Sequence, residues 1–145
     1  MDEQEYRNII LNFYKNSDEM VSALTAYGEV RGEGLDGIIG VLNVIKNRKE
    51  DEHRWSDEAT GVCLQKNQFS CWRKDDPNFE KITDIDLNNR VFQHCFGLAY
   101  GVLNGYIKDN TGGANHYYDE SIAPPYWADK MKVTKKAGKI VFLKG

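Results

Sequence analysis

Apolar residues recur at a helical period through the N-terminal two-thirds of the chain, then give way to short runs near the C-terminus. Ile9, Ile10, Phe13 and Tyr14 form one face of residues 2–15 and predict a first helix. Ser17 or Asp18 then caps a second helix carrying Met20, Val21, Leu24 and Glu29, which Gly32-Glu33-Gly34 ends. A third helix is predicted over 35–48, with Ile38, Leu42 and Ile45 at buried spacing. Val41 and Val44 widen its apolar surface, and Asn43 and Asn47 share one face. Residues 49–56 are highly charged and predict an exposed turn, followed by a short helix from Asp57 that holds Val62, Cys63 and Leu64. Residues 65–72 follow neither period, and Asp75-Asp76-Pro77-Asn78 is a turn cluster. A long helix is predicted over 86–103, with Val91, Cys95, Leu98, Ala99 and Val102 inward and Asn104-Gly105 as its stop.

Beyond it, Thr111-Gly112-Gly113-Ala114 predicts a flexible approach, and Asn115-His116-Tyr117-Tyr118 has strand-forming residues. Pro124-Pro125-Tyr126-Trp127 is a rigid aromatic loop. Residues 132–134 and 139–143 predict two short strands joined around Ala137-Gly138. Helices first and a small β element last make an α+β fold. The chain has 145 residues and 16.6 kDa, with no linker or repeat, so 1–145 is expected to be one domain.

Glu29 breaks the apolar pattern in an informative way. Val21, Thr25 and Glu29 are spaced four apart and fall on one helical stripe, so the carboxylate points inward or into a cleft. Gly28, Gly32 and Gly34 leave room for close approach to the backbone around it. A carboxyl against apolar walls has its pKa raised, which suits a general acid. The competing account is a helix end whose glutamate pairs with Arg31 or another cation.

Charge and cysteines narrow the class. A net charge of −3 and a pI near 5.6 argue against a nucleic-acid partner. Lys130, Lys132, Lys135, Lys136 and Lys139 are a local exception, read as the solvated face of a hairpin or as a contact with an anionic polymer or membrane. No run reaches the roughly 18 apolar residues of a membrane span, and residues 1–20 have no signal-peptide pattern. The expectation is a protein made in the cytoplasm without stable membrane insertion. Cys63, Cys71 and Cys95 lack disulfide or zinc spacing.

Phe69, Trp72, Tyr117, Tyr118, Tyr126 and Trp127 lie in irregular or strand-like segments among Gln68, Ser70, Asn115 and His116. Flat rings beside amides and hydroxyls suit a carbohydrate cleft, because rings cover the apolar faces of sugars. The alternative is that these rings staple loops to the core. His53, His94 and His116 lack HExxH spacing, so no metal or other cofactor is expected. A zinc-dependent amidase or endopeptidase, a Cys63 nucleophile with His116 as base, and a non-catalytic wall-binding module stay open as minority readings.

Three blocks together resemble the SleB/CwlJ-type cell-wall hydrolases. The first is Tyr27-Gly28-Glu29-Val30-Arg31-Gly32-Glu33-Gly34, then Gly37 and Val41-Leu42-Asn43-Val44-Ile45-Lys46-Asn47-Arg48. The second is Val62-Cys63-Leu64 with Gln68-Phe69-Ser70-Cys71-Trp72. The third is Gly112-Gly113-Ala114-Asn115-His116-Tyr117-Tyr118, followed by Trp127. The resemblance spans about 20–143 and implies a lysozyme-like α+β fold that cleaves peptidoglycan glycan strands, as a lytic transglycosylase or a muramidase. It puts the catalytic glutamate at Glu29 and a second acidic residue, of less defined role, at Glu33. Gln68, Phe69, Ser70, Trp72, His116, Tyr117, Tyr118 and Trp127 become the expected substrate-binding residues. One departure is Ile140, which stands where the family often has a histidine. The compact chain looks like a phage endolysin that reaches the wall through a holin-type pore.

Overall fold

The computed structural model describes residues 17–51 and 53–145, with Asp2, Glu3 and Glu5. The apolar face of the first predicted helix, Ile9, Ile10, Phe13 and Tyr14, lies outside the described residues. Helix α1 (Asp18–Val30) starts where the Ser17 hydroxyl accepts the Met20 N–H at 3.1 Å, a cap of about 1 kcal/mol. It is buried nearly all round, because Ser22, Ala23, Ala26 and Gly28 are small enough to admit neighbours on every side. The helices against it are α2 (Gly34–Lys49), α3 (Ala59–Leu64), α4 (Pro77–Thr83) and α5 (Arg90–Leu103). Val41, Leu42, Val44 and Ile45 of α2 are fully enclosed, as the apolar pattern predicts.

Two helices depart from the sequence expectation. The turn cluster at 75–78 is the start of α4: Asp76 accepts the Asn78 N–H at 2.8 Å and Pro77 occupies the first turn. The long helix begins at Arg90 and not at Asp86. Asn89 caps it by accepting the Phe92 N–H at 2.9 Å, while Asp86 holds a bend through the Asn88 N–H. Its inward face is therefore Phe92, Cys95, Ala99 and Val102; Val91 is 46% exposed and Leu98 only half-buried.

The predicted flexible approach at 111–114 is pinned down. The Thr111 hydroxyl donates to Asp109 at 2.6 Å and accepts the Ala114 N–H at 3.1 Å, and Asn47 of α2 donates to both Asp109 and the Ala114 carbonyl. The segment feeds β1 (His116–Asp119). With β2 (Lys132–Ala137) and β3 (Ile140–Lys144) it forms an antiparallel sheet of order β1-β3-β2, in which Tyr117 lies opposite Phe142. Strand β3 is covered on both faces. Ile140 and Phe142 enter the main core, while Val141 and Leu143 pack with Ala128 against Tyr118, Trp127 and Met131. Two lysines of the predicted cluster are paired: Lys136 with Glu120 at 2.8 Å, and Lys139 with Glu33 at 3.2 Å and Asp119 at 3.6 Å.

Helix and sheet meet at Gly40 of α2, where a Cβ would overlap the Phe142 ring. Gly40→Ala gains about 1 kcal/mol of helix propensity but overpacks the junction, a cost of about 1–3 kcal/mol. Urea unfolding is expected to show net destabilisation, with part of it recovered when Phe142→Leu is added.

Candidate active site

Glu29 occupies the last turn of α1, and its stripe behaves as the spacing predicts. Thr25 donates to the Val21 carbonyl at 2.7 Å and accepts the Trp72 indole N–H at 2.8 Å. That bond straps the short 3₁₀ turn Ser70–Trp72 to α1. A Cβ on Gly28 would lie 2.8 Å from the Cys71 Cβ, so only glycine lets the turn come this close. The approach delivers Ser70, whose hydroxyl lies 3.4 Å from Glu29 Oε2. From the opposite side the Tyr117 hydroxyl donates to Glu29 Oε1 at 3.0 Å. Phe69 stacks on Tyr117 at 6.4 Å between ring centres. Arg31 donates instead to the Tyr27 carbonyl and to Asn78, so it is not the partner of Glu29.

Burial raises the Glu29 pKa above 4.5 and outweighs the lowering by Tyr117, Ser70 and the Cys71 backbone; the charge of Asp76 adds to the rise. The Tyr117 phenol is itself pushed well above 10, first by burial and then by Glu29, so it remains a donor.

A cleft of about 650 Å³ opens over Glu29. Gln68, Phe69, Ser70, His116, Tyr117, Tyr118 and Trp127, all singled out by the sequence, line it together. Trp72 is not among the lining residues; its indole is spent on Thr25. Tyr126, 92% exposed, also lies outside the lining. His116 packs its ring near Trp127 and Trp55, and burial with the charges of Arg48 and Arg54 lowers its pKa to about 4, so it is neutral at pH 7. Glu33, its side chain 18% exposed, pairs with Lys139 and borders a shallower depression that Glu29 also touches.

The sequence pattern does not assign Arg48 and Asp119 to the site, yet both line the same cleft. Asp119 had a signal: it follows Tyr117 by two positions on β1, hence on the same face of the strand. It accepts the Ser121 N–H and hydroxyl at 2.8 and 2.7 Å, and these bonds with Lys139 hold its pKa below the usual range. Cys63 lies inside α3 with its thiol toward Ser22, and burial raises its pKa to about 11, the opposite of an activated nucleophile. Among the described residues, no three His, Cys, Asp or Glu gather as metal ligands.

An acid over an aromatic cleft, set between a helical body and a three-stranded sheet, agrees with what the whole chain resembles. The protein belongs to the Cell Wall Hydrolase family, whose model matches residues 32–143, beginning just past Glu29. It is 26% identical over 129 residues to the spore cortex-lytic enzyme of Halalkalibacterium halodurans and 25% identical over 131 residues to that of Oceanobacillus iheyensis. These alignments take in 89% and 90% of the chain, but only 35% and 43% of the two relatives. The fold superposes on the catalytic domain of the Bacillus cereus SleB protein with a TM-score of 0.66 at 26% identity, covering 88% of this chain and 89% of that domain. The catalytic domain of the germination-specific lytic transglycosylase SleB from Bacillus anthracis gives 0.68 at 27% identity, covering 88% and 93%.

A carboxyl whose folded pKa is raised favours the native state below its unfolded pKa, and that contribution is lost as pH rises through the folded value. Glu29→Gln carries no such burden. Thermal unfolding is expected to find it at least as stable as wild type at pH 7, with its advantage shrinking toward pH 4.

Proposed function

We propose that this protein cleaves the glycan strand of peptidoglycan by lytic transglycosylation, with Glu29 as the group that moves the proton. The observation that carries this is the Glu29 carboxyl itself: its pKa is raised by burial, it is held by Tyr117 and Ser70 at its two oxygens, and it is placed under a sugar-sized aromatic cleft. Family membership and the likeness to the lytic transglycosylase domain of Bacillus anthracis support the reading.

In the first half of the reaction the Glu29 proton passes to the glycosidic oxygen as the bond from that oxygen to the muramyl C1 breaks. In the second, the Glu29 carboxylate takes the proton of the muramyl C6 hydroxyl while O6 bonds to C1. A 1,6-anhydro ring forms, no water is consumed, and the acid is restored. One carboxyl serves both halves. Tyr117 and Ser70 stabilise the carboxylate between them, and Tyr117 fixes its direction. Glu33, neutralised by Lys139, has a structural part in this scheme.

A narrower reading is that the protein works as an endolysin, made in the cytoplasm and acting on the wall after passing a holin-type pore. The sequence resemblance prompts it. Expression with and without a holin tests it, lysis only with the holin being expected.

Mass spectrometry of peptidoglycan digested by wild type and by Glu29→Gln tests the central reading. Anhydro-muropeptides are expected from wild type and none from the variant, with the variant folded. Reducing-end products would replace transglycosylation with hydrolysis and turn attention to Asp119. Freed peptides on uncut glycan would overturn the glycosidase reading. Tyr117→Phe removes the donor that favours the ionised acid, so the alkaline limb of the pH–rate profile is expected to move to higher pH.

A further inference from the structure

Among the described residues, Arg48 is a buried cation with no acidic partner. It ends the apolar run of α2, is 6% exposed, and lines the cleft beside Gln68 and His116. Its Nε donates to the Asn115 carbonyl at 2.8 Å and its Nη1 to Gln68 Oε1 at 3.1 Å, both neutral acceptors. Its guanidinium carbon lies 5.1 Å from the Trp55 ring centre and 5.6 Å from that of Phe69. Among the described residues no carboxylate lies within ion-pairing reach of it, although an arginine this deep is normally paired.

The guanidinium has five N–H groups, and the two bonds leave three of them free. Asn110 Oδ1 is the one fully enclosed side-chain polar atom without a partner among the described residues. The unused Arg48 nitrogen, Nη2, is therefore not fully enclosed, and Arg48 lines the cleft. The other charges around the cleft are already compensated. Arg73 pairs with Asp75 at 3.2 Å, Asp119 lies near Lys139, and His116 is neutral.

We propose that Arg48 is a specificity-determining residue that binds a carboxylate of the muramyl unit, a subsite that rests on the glycan-cleaving reading above. Of the groups a peptidoglycan strand carries, only a carboxylate both neutralises a guanidinium and matches its fork with two parallel N–H···O bonds. An N-acetyl carbonyl would accept one hydrogen bond and leave the charge uncompensated. The carboxylate comes either from the lactyl ether of a peptide-free muramyl residue or from the peptide stem of a substituted one. Its binding would set the register of the strand over Glu29.

The test uses wild-type protein and four glycans: peptide-bearing and peptide-free strands, each native or with its carboxyls converted to neutral methylamides. Blocking is expected to lower kcat/KM about tenfold or more, mainly through KM, on whichever strand carries the recognised group. Loss on the peptide-free strand alone assigns the lactyl carboxylate; loss on the peptide-bearing strand alone assigns the stem. Arg48→Lys is expected to keep part of the preference and Arg48→Gln to cleave blocked and native strands equally. Equal cleavage of all four by wild type would overturn the subsite and leave the glycosidase reading standing. Absence of fragments from every strand would take both down.

Discussion

The Tyr117 hydroxyl, 3.0 Å from Glu29 Oε1, joins the end of a helix to a strand 88 residues away. A carboxyl drawn out of water is costly, and its position is defined only if something holds it. Tyr117 provides that hold because its own ring is fixed between Phe69 and Phe142, so the hydroxyl has little freedom. Phe142 in turn rests on the bare backbone of Gly40. Sheet, α2 and the acid are thus linked through one column of contacts, and a change in core packing is felt at the Glu29 carboxyl. Gly28 does the same on the other side by admitting the turn that carries Ser70.

The cleft separates its charges by distinct physical means. Burial raises the Glu29 pKa; burial and two nearby guanidinium groups keep His116 neutral. Arg48 cannot lose its proton at any ordinary pH, so its burial persists as a standing electrostatic demand that two neutral acceptors and two aromatic faces meet only in part. A desolvated acid and a buried cation on one wall suit the substrate proposed above, apolar on its sugar faces and anionic on its substituents. The same pair suits a nucleic acid poorly, because a polyanion wants many cations in a row and the cleft offers few.

The sequence made much of this legible because local signals and burial agreed. The Val21-Thr25-Glu29 stripe is a matter of spacing alone, and the glycines around it needed only the argument of close approach. What stayed hidden depends on partners far along the chain. Asp76-Pro77 reads equally as a turn or as the cap of a helix, and the choice rests on Ile82 finding the core. Trp72 lies among cleft residues in sequence but spends its indole on Thr25, a pairing across 47 positions that no local pattern reveals. Arg48 was visible as the last residue of a conspicuous run, yet its lack of a counter-ion is a property of the surrounding space.

Asp119 bears directly on the proposal that one carboxyl suffices. It lines the same cleft and has its pKa lowered by Ser121 and Lys139, while burial raises that of Glu29. Two carboxyls with pKa values driven apart are the usual mark of a divided acid and base. Asp119, however, already accepts two hydrogen bonds from Ser121 and shares Lys139 with Glu33. Each of these lowers its basicity and its readiness to form a bond to carbon. In the proposed reaction, an ionised group so constrained still favours positive charge on the sugar ring by its field, without sharing electrons. Glu29 has the opposite character: burial raises its pKa, and its partners are hydroxyls that support either protonation state. In the proposed reaction these environments suit Glu29 to proton transfer and Asp119 to an electrostatic part.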